Sequence, residues 1–115
     1  MYLFNLSGHS VPAKNERYDV IINRDYPTIP PVPRAIRKQA IELVDSLPRD
    51  VLERGDFEVI LPGMTPLAAA VIAVLDNRCG ALPCIRFAVK QADGTYRLSG
   101  PINLQRIRTE GQSKR

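Results

Sequence analysis

Histidine and cysteine are almost missing from this chain. Among its 115 residues, His9 is the one histidine, and Cys79 and Cys84 are the two cysteines. A structural zinc site needs about four nitrogen or sulfur ligands, so neither zinc nor another metal is expected, and no cofactor is implied. The two thiols have no further pair to build a disulfide framework. A stable disulfide also requires an oxidising compartment, so both are expected to be reduced. Met1 to Leu6 lacks the basic flank and long apolar region of a secretory signal. The longest apolar run, Pro66 to Leu75, falls short of the roughly 20 residues that cross a bilayer. A cytoplasmic protein with no membrane partner is therefore expected. Phosphate-loop, dinucleotide and nucleophile-elbow motifs are absent too.

What is present describes an ordered globular chain. Hydrophobic residues make up 44% and charged residues 24%, ordinary values for a folded domain. The length suits one domain that buries a core without staples. The net charge of +4 is uneven. Arg106, Arg108, Lys114 and Arg115, against Glu110, hold most of it. The nearly neutral body lacks the basic stripe of a duplex-binding protein. One domain over residues 1–109 with a flexible basic tail at 110–115 is expected.

Tyr2 to Leu6 reads as a short strand ending at the Ser7-Gly8 turn, and residues 9–16 read as a polar loop. Tyr18 to Asn23 is a second strand. Prolines 27, 30, 31 and 33 exclude regular structure between Pro27 and Pro33 and predict a stiff connector. From Pro33 to Leu47, the residues Ile36, Ala40, Leu43, Val44 and Leu47 share one helical face. Residues 49–55 suit one more turn closed by Gly55. Phe57 to Leu61 is a buried strand stopped by Pro62-Gly63. A helix follows, with Thr65 as N-cap, Pro66 in its first turn and apolar residues on every side up to Leu75. Such a helix is expected to be buried on most faces, one of them against a second subunit.

Cys84 to Lys90 alternates apolar and basic residues, as a half-exposed strand does. Ala92-Asp93-Gly94-Thr95 turns it into Tyr96 to Ser99. Ile102 to Arg108 suits a short helix or strand. The fold class is α/β, a mostly parallel sheet with a C-terminal β-hairpin.

Two loops can carry chemistry. Ser7, Gly8, His9 and Ser10 offer hydroxyls, an imidazole and backbone N–H groups after the first strand. Pro62, Gly63, Met64 and Thr65 open a helix after a buried strand, where free N–H groups and the helix dipole favour an anion. If those strands are neighbours, both loops face one crevice at the carboxyl ends of the sheet. The same residues also suit a capped strand-to-helix turn and a surface histidine. The scattered carboxylates, Asp56 and Glu58 included, read as solvated, as do Arg86, Lys90 and Arg97 on an exposed sheet face.

Three stretches carry a family resemblance: Phe4-Asn5-Leu6-Ser7-Gly8-His9, Val59 to Ala68, and Ile85-Arg86-Phe87 with Ile102-Asn103-Leu104-Gln105. The chain resembles a small CRISPR-associated family of type III systems, the one called Csx fifteen. The resemblance implies a minimal Rossmann-like domain of the CARF group, acting as a homodimer. It implies a pocket for cyclic oligoadenylate, above all cyclic tetra-adenylate, across the two-fold axis. Ser7, Gly8 and His9 match the first ligand loop, and Gly63, Met64 and Thr65 the second. With no effector domain expected on the chain, it would hold the messenger or cut it. Sequestration is the leading expectation. Metal-independent ring cleavage by a ribose 2′-OH is the runner-up, with His9 or Ser7 assisting. A ligand-free dimerisation module is the third.

Overall fold

In the computed structural model, residues 1–12 and 17–114 are described, so part of the 9–16 loop and the end of the basic tail lie outside the described residues. The elements run β1 (Tyr2–Asn5), β2 (Val20–Asn23), α1 (Pro33–Asp45), α2 (Arg49–Arg54), β3 (Phe57–Ile60), α3 (Thr65–Cys79) and β4 (Cys84–Ile85). They continue with β5 (Ala88–Lys90), β6 (Tyr96–Leu98), β7 (Ile102–Asn103) and α4 (Leu104–Gln112). The main sheet has five strands in the order β2-β1-β3-β4-β7. Strands β2, β1, β3 and β4 are parallel, and β7 lies antiparallel on β4. The α/β class and the mostly parallel sheet agree with the sequence.

Alternation along the strands sends side chains to opposite faces. Phe4, Phe57 and Val59 pack with the apolar stripes of α1, α2 and α3 on the first face. The stripe of α1 is the expected one: Ala40, Leu43 and Val44 are buried, as is Leu47 just beyond the helix. Gly55 closes α2 in the left-handed conformation at φ 69°. Among the described residues, no helix packs on the small core of the second face. Leu3 and Ile60 there are covered by Leu98 of the hairpin and by Val11 and Tyr18 of the β1–β2 connection.

Several expectations need correction. The stretch from Cys84 to Lys90 is not one strand. It breaks at Arg86-Phe87, and β5 pairs with β6 in a separate two-stranded sheet. The hairpin therefore lies over the main sheet instead of extending it. Helix α3 is fully buried at Leu67, Val71 and Leu75 and half-buried at Ala68, Ala70, Ile72 and Val74, while Ala69 and Ala73 are exposed. Its N-cap is Met64, not Thr65. Ala68 N–H bonds back to the Met64 carbonyl at 2.9 Å, so the chain enters the helix one residue early and the Thr65 hydroxyl makes no cap bond. At the other end, α4 runs to Gln112, into the stretch expected to be a flexible tail, with Asn103 accepting from Arg106 N–H as its cap.

The largest departure is Glu58. It is only 3% exposed and Arg86 only 6%, where both were expected in water. A buried charge is costly unless paired. The Tyr18 hydroxyl and Arg17 Nη2, the latter at 3.3 Å, both donate to the Glu58 carboxylate. Arg86 Nη1 lies 3.8 Å from the same carboxylate and donates to the Tyr18 oxygen at 2.8 Å. Arg86 Nε donates to the Ser99 carbonyl at 2.8 Å. The cluster pins Arg17 and Tyr18 of the β1–β2 connection and Arg86 at the start of the hairpin onto β3.

Burial first, then the Glu58 hydrogen bond, push the Tyr18 phenol up from 10.0 to about 12. The fold thus favours the protonated phenol. Its contribution to stability is whole below pH 10 and drains away as pH rises towards about 12. A spectrophotometric titration should show a tyrosine ionising near pH 12, a step missing from Tyr18→Phe. Glu58→Ala leaves cations around an empty position and should cost about 3–5 kcal/mol in urea unfolding. A loss below 1 kcal/mol would mean the cluster does not hold these segments.

Candidate functional site

The connections from the strands leave the sheet on two sides. Val11 and Tyr18 of the β1–β2 connection pack on the second face, and the helices that follow β2 and β3 pack on the first. Since β1 lies between β2 and β3, the chain reverses direction across the sheet between β1 and β3. At such a switch point the loops diverge and leave a crevice beyond the carboxyl ends of the strands. Both expected loops start there. Asn5 and Ile60, the last residues of β1 and β3, are register partners, and Leu6 N–H bonds to the Ile60 carbonyl at 2.9 Å.

The first loop is built around Asn5, a buried polar side chain at the end of β1. Its Nδ2 donates to the His9 carbonyl at 2.7 Å and to Asn23 Oδ1 at 2.8 Å. Its Oδ1 accepts from the Ser7 N–H at 3.1 Å and the Ser7 hydroxyl at 2.6 Å. The Ser7 oxygen in turn accepts from the His9 N–H at 3.2 Å. One amide thus sets the path of Ser7-Gly8-His9 and locks it to the end of β2. Gly8 has φ 78°, and a Cβ there would stand 2.9 Å from Asp25 Oδ1. Left-handed backbone and a close neighbour both require glycine.

The arrangement opens a cleft of about 490 Å³, lined by Asn5, Gly8, His9, Ser10, Val11, Ile21 and Asn23 to Asp25. It offers amide, hydroxyl and backbone groups, with the Asp25 carboxylate and the Arg24 guanidinium at the rim. Arg24 is committed elsewhere: Nε and Nη2 donate to the Ser46 hydroxyl and carbonyl at the end of α1. The His9 side chain is exposed, and among the described residues it makes no hydrogen bond.

The second loop is placed differently. Pro62 is buried, Met64 packs on the core, and Gly63 and Thr65 are exposed. None of the four lines the cleft. The structure therefore brings Gly8, His9 and Ser10 together with the end of β2, with Ser7 holding the loop, while Pro62 to Thr65 are not part of that cleft. Asn5 and Asn23 did carry a signal. Each is a polar amide closing an otherwise apolar strand, and the register makes them partners.

Among the described residues, no group of three or more His, Cys, Asp and Glu is placed to hold a metal. Cys79 and Cys84 are free, half-buried thiols, and burial raises the pKa of both. No helix among the described residues is long and apolar enough to cross a membrane. No family model, curated protein or solved structure matches the chain.

Asn5→Ala removes the hub and should cost about 2–3 kcal/mol on the scale of a few lost hydrogen bonds. Gly8→Ala should cost about 1–2 kcal/mol for the left-handed backbone alone. Chemical denaturation of both variants checks this. Wild-type midpoints would show that the loop is not held in this way.

Proposed function

We propose that this chain is a Rossmann-like domain of the CARF type that binds a cyclic oligoadenylate, cyclic tetra-adenylate in the first instance, and sequesters it. Such a protein would damp type III CRISPR signalling. The observation that supports this reading is that the two resemblance loops leave the carboxyl ends of neighbouring strands, β1 and β3, the first of them lining the cleft. Support comes from the chemistry there. The Asn5-held loop offers amide and hydroxyl donors to an anionic ribose-phosphate edge. Thr65 opens α3, whose N-terminal N–H groups and dipole favour phosphate.

A homodimer belongs to the same proposal. The ring has two-fold symmetry, and a C₂ pair presents each loop twice. The exposed small residues Ala69 and Ala73 on α3 leave a face on which two helices can approach closely. Sequestration is favoured over cleavage because His9 lacks an orienting partner among the described residues. Efficient acid–base catalysis places its base by hydrogen bonding.

The test is to mix purified protein with labelled cyclic tetra-adenylate, measure retention and separate the products. Micromolar retention of an intact ring is the expected result. Linear products would replace the sponge by a ring nuclease, and His9→Ala would then bind without cleaving. Absence of binding at micromolar protein would leave a ligand-free dimerisation module.

A further inference from the structure

His9 and Ser10 line two clefts at once. The second, of about 420 Å³, lies on their far side and is closed by Pro12 with Ala88 and Tyr96 of the hairpin. We infer that this second cleft is a nucleobase subsite, in which a purine ring stacks on Tyr96. The inference rests on the nucleotide-binding reading of the neighbouring loop and adds to it the residues that would hold the base.

Three observations point there. Tyr96 is 53% exposed although it stands on the same hairpin face as Leu98, which is buried against Leu3 and Ile60. The tyrosine thus overhangs the sheet without being covered by it. The cleft's lining suits a flat heteroaromatic ring: Tyr96, Pro12 and Ala88 offer it apolar surface. The His9 imidazole and Ser10 hydroxyl supply polar edges. Lys90 is the register partner of Tyr96 and shares its face, so a cation stands beside the ring. That order of groups matches a nucleotide, with stacking for the base and a charge for the adjoining phosphate. The two clefts meet at His9 and Ser10, so a ribose-phosphate held by the loop has its base within reach of Tyr96.

The chain has no tryptophan, so Tyr96→Trp gives a single indole reporter. Titration with cyclic tetra-adenylate should quench that indole. Phe87→Trp, on the opposite face of the hairpin, should stay unquenched. Retention of the ring should fall about tenfold or more in Tyr96→Ala and persist in Tyr96→Phe, since stacking needs a ring and not a hydroxyl. Both sites are exposed, so circular dichroism should show folded variants. A ring retained equally by wild type and Tyr96→Ala, with the indole at position 96 unquenched, would overturn the subsite and leave the sequestration proposal standing. A ring not retained by wild type would overturn both.

Discussion

A buried carboxylate in the middle of a sheet is the constraint on which the second face depends. Glu58 sits on β3 between Leu3 and Cys84 in register, where an apolar residue would be the simpler choice. Removing a carboxylate from water is costly, and the cost is offset only by partners with good geometry. Here the partners come from far along the chain: Arg17 and Tyr18 before β2, and Arg86 at the start of the hairpin. Each carries a piece of backbone with it. Electrostatic pairing therefore selects which segments cover this side, in place of the helix that usually does so in parallel sheets.

The candidate site inherits that arrangement. One end of the β1–β2 connection is held by Asn5 at the carboxyl end of β1, and the other by Tyr18 on Glu58. Between them stand His9 and Ser10, with a cleft on either side. Precision at the first end comes from hydrogen bonds, and at the second from charge. The helices contribute indirectly. They bury Phe4, Phe57 and Val59 and so fix the strands whose ends carry the loops.

What the sequence made legible follows from periodicity. The stripe of α1, the run from Phe57 and the Asp93-Gly94 turn each have a local pattern that only one conformation satisfies. The break after Ile85 has none, because alternation of apolar and basic residues continues while the chain leaves one sheet for another. Glu58, Arg86 and Tyr18 were illegible for a different reason. A charge in a short pattern reads as solvent-facing, and its burial is decided by partners distant in sequence. In α3 the apolar composition leaves open which side stays uncovered, since alanines at positions 69 and 73 are as compatible with an open face as with a core. Asn5 fell between these cases, a local feature whose meaning depends on Asn23 beside it.

The two faces of the sheet also differ in how much holds them. The helical side rests on a large cluster of interlocked side chains, and the other on Leu3, Ile60 and Leu98 with a polar clamp. Proteins open in cooperative pieces, the least buried first. By that rule the hairpin, resting on the smaller cluster, opens before the helices and strands of the first face. Any molecule seated against His9 and Tyr96 bridges the β1–β2 connection and the hairpin. Occupancy and order of the hairpin are then thermodynamically linked, and each raises the other.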